Sequence, residues 1–230
     1  MYVLHIANKN YSTWSLRPWA LMRALAIPFR EQMHVFGGPS NEREFGQFSP
    51  SGRVPCLHDG ATVVWDSLAI AEYLAERHPG VWSADPAARA WSRCACAEMH
   101  AGFAELRRQC SMSVGVRIRL RAPTDGLQAD LTRLQGLWND GLRRFGGPWL
   151  AGPQFTAVDA YFAPVAFRIQ TYDPPLDEAS RSYAQRLLNH PALRGWEAEA
   201  LAETWRDEAH ESEIMTAGEV LADLRAGPQR

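Results

Sequence analysis

Apolar and polar positions divide this chain into two halves with different periods. Tyr2–Ala7 is an apolar run that fits a buried strand. A polar stretch follows, and from Leu16 to Ala26 apolar residues return at helical spacing, with Leu16, Ala20, Leu21, Ala24 and Leu25 on one side. Ile27-Pro28 interrupts, and Phe29–Phe36 predicts a second strand. Gly37–Asn41 reads as a loop and Glu42–Gln47 as a short helix. Val54–His58 and Ala61–Trp65 predict two more strands joined by a two-residue turn at Asp59-Gly60. Ser67–Arg77 predicts a helix with Leu68, Ile70, Ala71 and Leu74 inward. The order is β-α-β followed by β-β-α over residues 1–78.

Residues 79–86 are rich in Pro, Gly and small side chains and read as a linker. Beyond them strand signals vanish. Ala87 to about Arg121 is helical in pattern, "APTDG" breaks it, and Leu127–Phe145 is amphipathic up to Gly146-Gly147-Pro148. Val158–Thr171, Glu178–Asn189 and Ala192–Glu203 predict further helices. The pattern gives a small α/β domain at 1–78 and an all-α domain at 87–210. The tail, residues 211–230, is polar and charged and is expected to be loose.

Composition adds little chemistry but removes several classes. A formal charge of -2 over 230 residues gives no electrostatic reason to bind nucleic acid or an anionic membrane surface. No apolar run approaches the ~18 residues of a membrane span. The N-terminus lacks a basic start followed by a long apolar segment, so no secretory signal is expected. Cys56, Cys94, Cys96 and Cys110 form no Cys-x-x-Cys pair, and the histidines are scattered, so a metal site has no support. A reducing, cytoplasmic location is the simplest expectation.

The chemistry gathers in three short segments. "NYSTWSLRPW", residues 10–19, puts three hydroxyls between the first strand and the first helix. A helix start leaves unpaired N–H groups and a positive dipole end, which together suit an anion. Pro18 is best tolerated within the first helical turn, so Ser15 is the expected N-cap, leaving Ser12 and Thr13 in the loop. All three hydroxyls also fit an ordinary turn. In "SGRVPCL" Pro55 heads a strand, and a cis Val54–Pro55 bond would turn the Val54 backbone outward, free to pair with an extended peptide. In "VVWDSLAIAEYLAE" Ser67 is the expected cap with Asp66 beside it, free in a functional reading for a ligand carboxylate and ammonium.

Together and in this order, these segments resemble the glutathione S-transferase superfamily over about residues 3–205. "RVPCL" is similar to its strand led by a cis-proline, and "DSLAIAEYLAE" to the segment that holds the γ-glutamyl end of glutathione. "STWSLR" resembles the "SSCSWR" turn of the zeta, or maleylacetoacetate isomerase, class, with Trp14 in place of a cysteine. Thr156–Ala160 resembles the superfamily's internal capping box, and Arg108–Val114 loosely a zeta "QNLSV" stretch. Glu98–Phe103 is similar to a segment of bacterial members and gains no role from the likeness. The resemblance implies an α/β thioredoxin-like N-terminal domain plus an all-α C-terminal domain. It also implies glutathione as cosubstrate, a small electrophile, and a homodimer.

Carried over residue by residue, the likeness makes Ser12 the donor to the glutathione sulfur. Thr13, Trp14, Ser15 and Arg17 line that end of the site. Val54 pairs with the cysteinyl backbone, Arg53 and Pro55 flank it among the glutathione-binding residues, Asp66 and Ser67 hold the γ-glutamyl group, and Gln109 reaches in from the helical domain. Tyr11, Trp14, Met112, Arg117 and Trp205 are candidates to line the electrophile pocket, and Arg17, Arg107 and Arg108 to select an anion, with solvated surface the simpler reading for Arg107 and Arg108. Lowering a thiol pKa of about 8.5 by two units needs roughly 2.7 kcal/mol. One hydrogen bond to a charged group supplies about 1.5–3 kcal/mol, so a serine and a helix dipole suffice without a base. Two rival readings are a non-catalytic binding protein of the same fold and a reductase using Cys56 or Cys110.

Overall fold

The computed structural model describes residues 1–37 and 41–227. The expected loop at Gly38-Pro39-Ser40 and the last three residues of the tail lie outside these. The first half forms β1 (Tyr2–Ala7), α1 (Thr13–Ala24), β2 (Phe29–His34), α2 (Asn41–Phe45), β3 (Cys56–Asp59), β4 (Thr62–Trp65) and α3 (Ser67–Ala75). The sheet order is β2-β1-β3-β4. β1 and β2 are parallel with Tyr2 opposite Phe29, whereas β3 runs antiparallel to β1 with Val3 opposite His58. Asp59 pairs with Thr62, so the hairpin turn is Gly60-Ala61, one residue later than expected. Gly60 takes the positive φ of 58° there, which glycine adopts without steric cost.

The second half is helical: α4 (Pro86–Ala101), α5 (Ala104–Gln109), α6 (Asp125–Phe145), α7 (Ala157–Tyr172), α8 (Glu178–Asn189), α9 (Pro191–Ala202) and α10 (Glu208–Ala217). α7 is apolar on all sides and buried along nearly its whole length. It packs against α1, α4 and α8, so one helix joins the helical layer to the α/β layer. Asp159 fixes its start by accepting the Thr156 N–H at 2.9 Å, the Leu150 N–H at 3.0 Å and the Tyr183 hydroxyl at 2.8 Å. Gly141 on α6 lets another backbone approach, because a Cβ there would stand 2.8 Å from the Leu150 carbonyl oxygen.

The helical half also contains strand. β5 (Val116–Leu120) and β6 (Gly218–Asp223) form an antiparallel ribbon. This corrects two expectations: the helical pattern to Arg121 stops at Gln109, and the tail is folded back instead of loose. "VRIRL" does alternate, with Val116 and Ile118 buried and Arg119 exposed. Its partner strand lies about a hundred residues away in sequence. Gly218 is required where β6 begins, since a Cβ there would fall 2.1 Å from the Arg119 carbonyl oxygen.

Candidate active site

The β1–α1 turn is anchored on both sides before it reaches its hydroxyls. Lys9, 1% exposed, bonds Glu31 on β2 at 2.6 Å and Glu199 on α9, and lies over the rings of Trp19 and Trp196. The Lys9 N–H donates to Glu203 at 2.6 Å, and the Asn10 amide donates to the Ala200 carbonyl at 2.6 Å. The Gly115 N–H donates to the Asn10 side-chain oxygen at 3.2 Å. Thus three distant segments hold the turn in place.

The helix starts earlier than expected. Ser12 occupies the N-cap position of α1, and Pro18 lies inside the helix. The Tyr11 and Ser12 N–H groups both donate to the Asn8 carbonyl, tightening the chain into the helix there. Ser15 is therefore not the cap. The Ser12 hydroxyl makes no capping bond and instead donates to Ser15 Oγ at 2.8 Å. Ser15 Oγ also accepts the Ala7 N–H at 3.2 Å. Ser15 is fully buried and Ser12 5% exposed, so Ser15 stands behind Ser12 and only Ser12 reaches the surface of a cavity.

Two adjoining cavities meet at this turn. One, about 360 Å³, is lined by Tyr11, Ser12, Thr13, Phe36, Phe45 and Met112, with Arg168, His210 and Glu213 supplying charge or polarity. The other, about 290 Å³, is lined by Trp14, Arg53, Val54, Pro55, Asp66 and Ser67, with His100 on its far side. Trp14, Arg53 and Val54 belong to both. A larger cavity, about 670 Å³, opens elsewhere, beside residues 78–84. Its ionic groups already satisfy one another: Arg93 grips Glu72 with two bonds, and Arg89 is spent on the Ser83 and Ala84 carbonyls. It contains no residue of the turn, whereas the smaller pair gathers most of the residues the three segments singled out.

The Val54–Pro55 peptide is cis. Among the described residues, the Val54 N–H and C=O enter no backbone hydrogen bond. Asp66, not Ser67, is the N-cap of α3, accepting the Leu68 N–H at 2.8 Å. Asp66 holds φ at 73°, in the region that disfavours a side chain, and such strain costs about 1–3 kcal/mol where it is kept. Ser67 is the first helical residue, and its Oγ accepts the Tyr161 hydroxyl at 3.1 Å.

Residues 11–77 match the family model of the glutathione S-transferase N-terminal domain. The chain superposes on a glutathione transferase homologue from Burkholderia gl BGR1 with bound glutathione, with a TM-score of 0.64 and 19% identity, covering 86% of this chain and 97% of that one. The fold is that of the glutathione S-transferases. A theta-class glutathione S-transferase from Xanthomonas axonopodis pv. citri, with glutathione bound, gives 0.62 and 22% identity over 84% of this chain and 95% of that one. A diazinon-metabolizing glutathione S-transferase of Bombyx mori gives 0.67 and 15% identity over 87% and 97%. In sequence, 61 residues are 39% identical to dichloromethane dehalogenase of Methylorubrum extorquens, which is 26% of this chain and 21% of the dehalogenase. The match thus spans about a fifth of that curated relative's length.

Within this transferase fold, several residues expected at the site stand elsewhere. Arg17 is 1% exposed and lines neither cavity; its guanidinium lies between the rings of Trp14, at 4.2 Å, and Tyr161, at 4.8 Å. Its Nε and Nη1 have no hydrogen-bond partner, and burial draws its pKa down to about 9. Gln109 turns away and donates to Glu105 and Thr124, each at 2.6 Å. Arg117 is spent on the Val114 and Val116 carbonyls, and Trp205 is 53% exposed outside both cavities. Arg108 pairs with Glu105 on the surface. Arg107 does not: it caps the end of α4 by donating to the Met99, His100 and Gly102 carbonyls, 5.0 Å from the Trp14 ring.

The helical layer supplies site residues that periodicity did not single out. Arg168 projects from α7, 6% exposed, and donates to the Cys110 carbonyl. Its signal was in the sequence as the lone charge in the apolar run "AYFAPVAFRI". His100 spans the two layers: its Nε2 is 3.5 Å from Asp66 and its ring meets Trp14 edge-on. α10 brings His210, stacked on both Tyr11 and Phe36, over the larger cavity. Burial pushes the Cys56 and Cys110 thiols up to about 11, and neither lines a cavity. At neutral pH such thiols are ionised to about one part in ten thousand, which disfavours the reductase reading. Among the described residues, no group of three His, Cys, Asp or Glu side chains is placed to hold a metal ion. No described helix is long and apolar enough to cross a membrane.

Proposed function

We propose that this chain is a glutathione transferase of the serine type, using Ser12 to favour the ionised thiol of bound glutathione for attack on a small electrophile. The observation that carries the reading is a hydroxyl at a helix N-cap that does not cap: Ser12 Oγ reaches the cavity and is backed by Ser15 Oγ. A hydroxyl has one proton to give and two lone pairs. When Ser12 turns its proton toward an anion in the cavity, Ser15 can donate in its place to Ser12, while the Ala7 N–H continues to hold Ser15. Ser15 therefore acts as a positioning residue.

The residues fit a tripeptide with an anionic and an ammonium end. The unpaired backbone of Val54 suits an extended peptide, as in strand addition. The start of α3 with Ser67 suits a carboxylate, and exposed Asp66 suits an ammonium. Glutathione, when bound, supplies the thiol whose conjugate base is the nucleophile. The protein holds the peptide, orients the sulfur toward the larger cavity, and supplies the positive end of α1. The match to a dehalogenase suits displacement of a halide. A homodimer and a cytoplasmic location belong to the same proposal.

The test follows the ultraviolet absorbance of the thiolate while the glutathione-occupied protein is titrated. The wild type should hold the thiol about one to two units below its free value, and Ser12→Ala should return most of that shift. Equal ionisation in both proteins ends the serine mechanism. A shift lost in Thr13→Ala instead moves the role to Thr13.

A further inference from the structure

We infer that the second substrate carries a carboxylate, and that Arg168 is the residue that selects it. This rests on reading the 360 Å³ cavity as the second substrate's site. Arg168 lines that cavity while more than nine-tenths buried. Among the described residues it makes one hydrogen bond, from Nη1 to the Cys110 carbonyl, and no carboxylate lies within ion-pair distance. A guanidinium offers five N–H donors in a planar fork matched to a carboxylate. One is used to fix the group in place, which leaves the fork oriented and without a carboxylate in ion-pair contact.

The surroundings strengthen the case. Arg107 and Arg17 are close enough to depress the Arg168 pKa or be depressed by it, and neither forms an ion pair: Arg107 is bonded to carbonyls and feels Asp130 only at longer range, and Arg17 is stacked between rings. Burial draws Arg168 down to about 10, so it stays charged at neutral pH. A group of desolvated cations without anions is costly unless a ligand supplies the negative charge. The opposing charge at the cavity is Glu213, which is exposed, accepts the Ser111 hydroxyl at 2.6 Å, and is screened by water. His210 is turned to Asp207. Arg53 adds a further positive charge at the rim between the cavities, though glutathione has carboxylates of its own to meet it. Tyr11, Trp14, Phe36, Phe45 and Met112 give the wall a broad apolar and aromatic face, so the electrophile pairs a compact apolar body with one carboxylate.

A matched pair of aryl chlorides tests this: 4-chloro-3,5-dinitrobenzoate and its neutral methyl ester. In both, the carbon–sulfur bond forms, the carbon–chlorine bond breaks, chloride leaves with the bonding pair, and the thiol proton passes to solvent. With glutathione saturating, the wild type should show a KM at least about tenfold lower for the acid than for the ester. Arg168→Met should abolish that preference by raising the KM for the acid about tenfold relative to that for the ester, with the glutathione Kd within about twofold, and Arg168→Lys should restore part of it. Calorimetry with 3,5-dinitrobenzoate, which has no leaving group, gives a readout independent of turnover, and its binding should vanish in Arg168→Met. Equal KM values in the wild type, or a preference that survives Arg168→Met, overturn the inference. If Arg168→Met does not fold, the wild-type acid-to-ester ratio decides alone. If glutathione does not bind but dinitrobenzoate binds through Arg168, the transferase reading fails and the carboxylate site stands.

Discussion

Replacing Lys9 by Met tests how the hydroxyl turn is held. The ammonium is bonded to Glu31 at 2.6 Å, where the two side chains are 2% and 21% exposed. Its second partner, Glu199, is 52% exposed and adds little. Methionine keeps most of the buried stem, so the loss is confined to the charge and its contacts with Trp19 and Trp196. Glu31 retains the Trp19 indole N–H at 2.6 Å, so its carboxylate is weakened in partnership and not orphaned. A nearly buried ion pair that loses one member costs about 3–5 kcal/mol, and the surviving indole bond and partial exposure of Glu31 bring the expected value to about 3. For a chain of this length that lowers Tm by about 6–12 °C. Thermal unfolding of wild type, Lys9→Met, Glu31→Gln and the double variant checks it. The double variant should lose less than the sum of the singles, by about 1–3 kcal/mol. A loss below about 0.5 kcal/mol in Lys9→Met, or strict additivity in the cycle, would refute the view that this pair clamps the turn.

Two further outcomes follow from the same geometry. His5, His34 and His58 lie on three adjacent strands, with His5 bonded to His34 at 2.9 Å and stacked on Phe48, and burial first, then the neighbouring histidines, draw the His5 pKa down to about 4. The fold thus favours neutral His5: its contribution is complete above the unfolded value of about 6.5 and is lost as pH falls from there toward 4. Discounted for partial exposure this is about 1 kcal/mol at pH 5, so His5→Phe should show a smaller Tm drop between pH 7 and pH 5 than wild type, and an equal drop would contradict it. At the other end, Arg225 ties the tail to the site by pairing with Glu211 on α10, which also accepts the Tyr11 hydroxyl at 2.7 Å. Arg225→Ala should loosen α10 over the larger cavity, raising KM for the second substrate about three- to tenfold while the glutathione Kd stays within about twofold; an unchanged KM would show that α10 does not close it.

The α/β half was largely legible in the sequence because its elements are local. The strands are short, β1 and β4 are largely apolar, Pro and Gly punctuate the connections, and neighbouring elements pair with one another. The errors there are of a kind that local rules produce. Pro18, a poor interior residue, favours Ser15 as the cap on local rules, yet the Asn8 carbonyl and the clamp on Lys9 and Asn10 pull the helix start to Ser12. Asp66 takes the cap from Ser67 by holding a backbone angle that propensity alone would not assign to it.

The sequence by itself determined the hydroxyl turn, the proline-led strand and the acidic start of α3, because each is a few consecutive residues whose backbone chemistry is nearly self-contained. Only the tertiary structure decided that Ser12 and Thr13 face a cavity while Ser15 stands behind, and that Arg168 and His100 line the cavities while Arg17 and Gln109 do not. It also decided that a run reading as helix becomes β5, because β6 comes back from about a hundred residues away to satisfy its backbone. The physical reason is one of range. Periodicity reports which face of an element is apolar, whereas burial, charge pairing and strand partnership depend on what distant segments bring to that face.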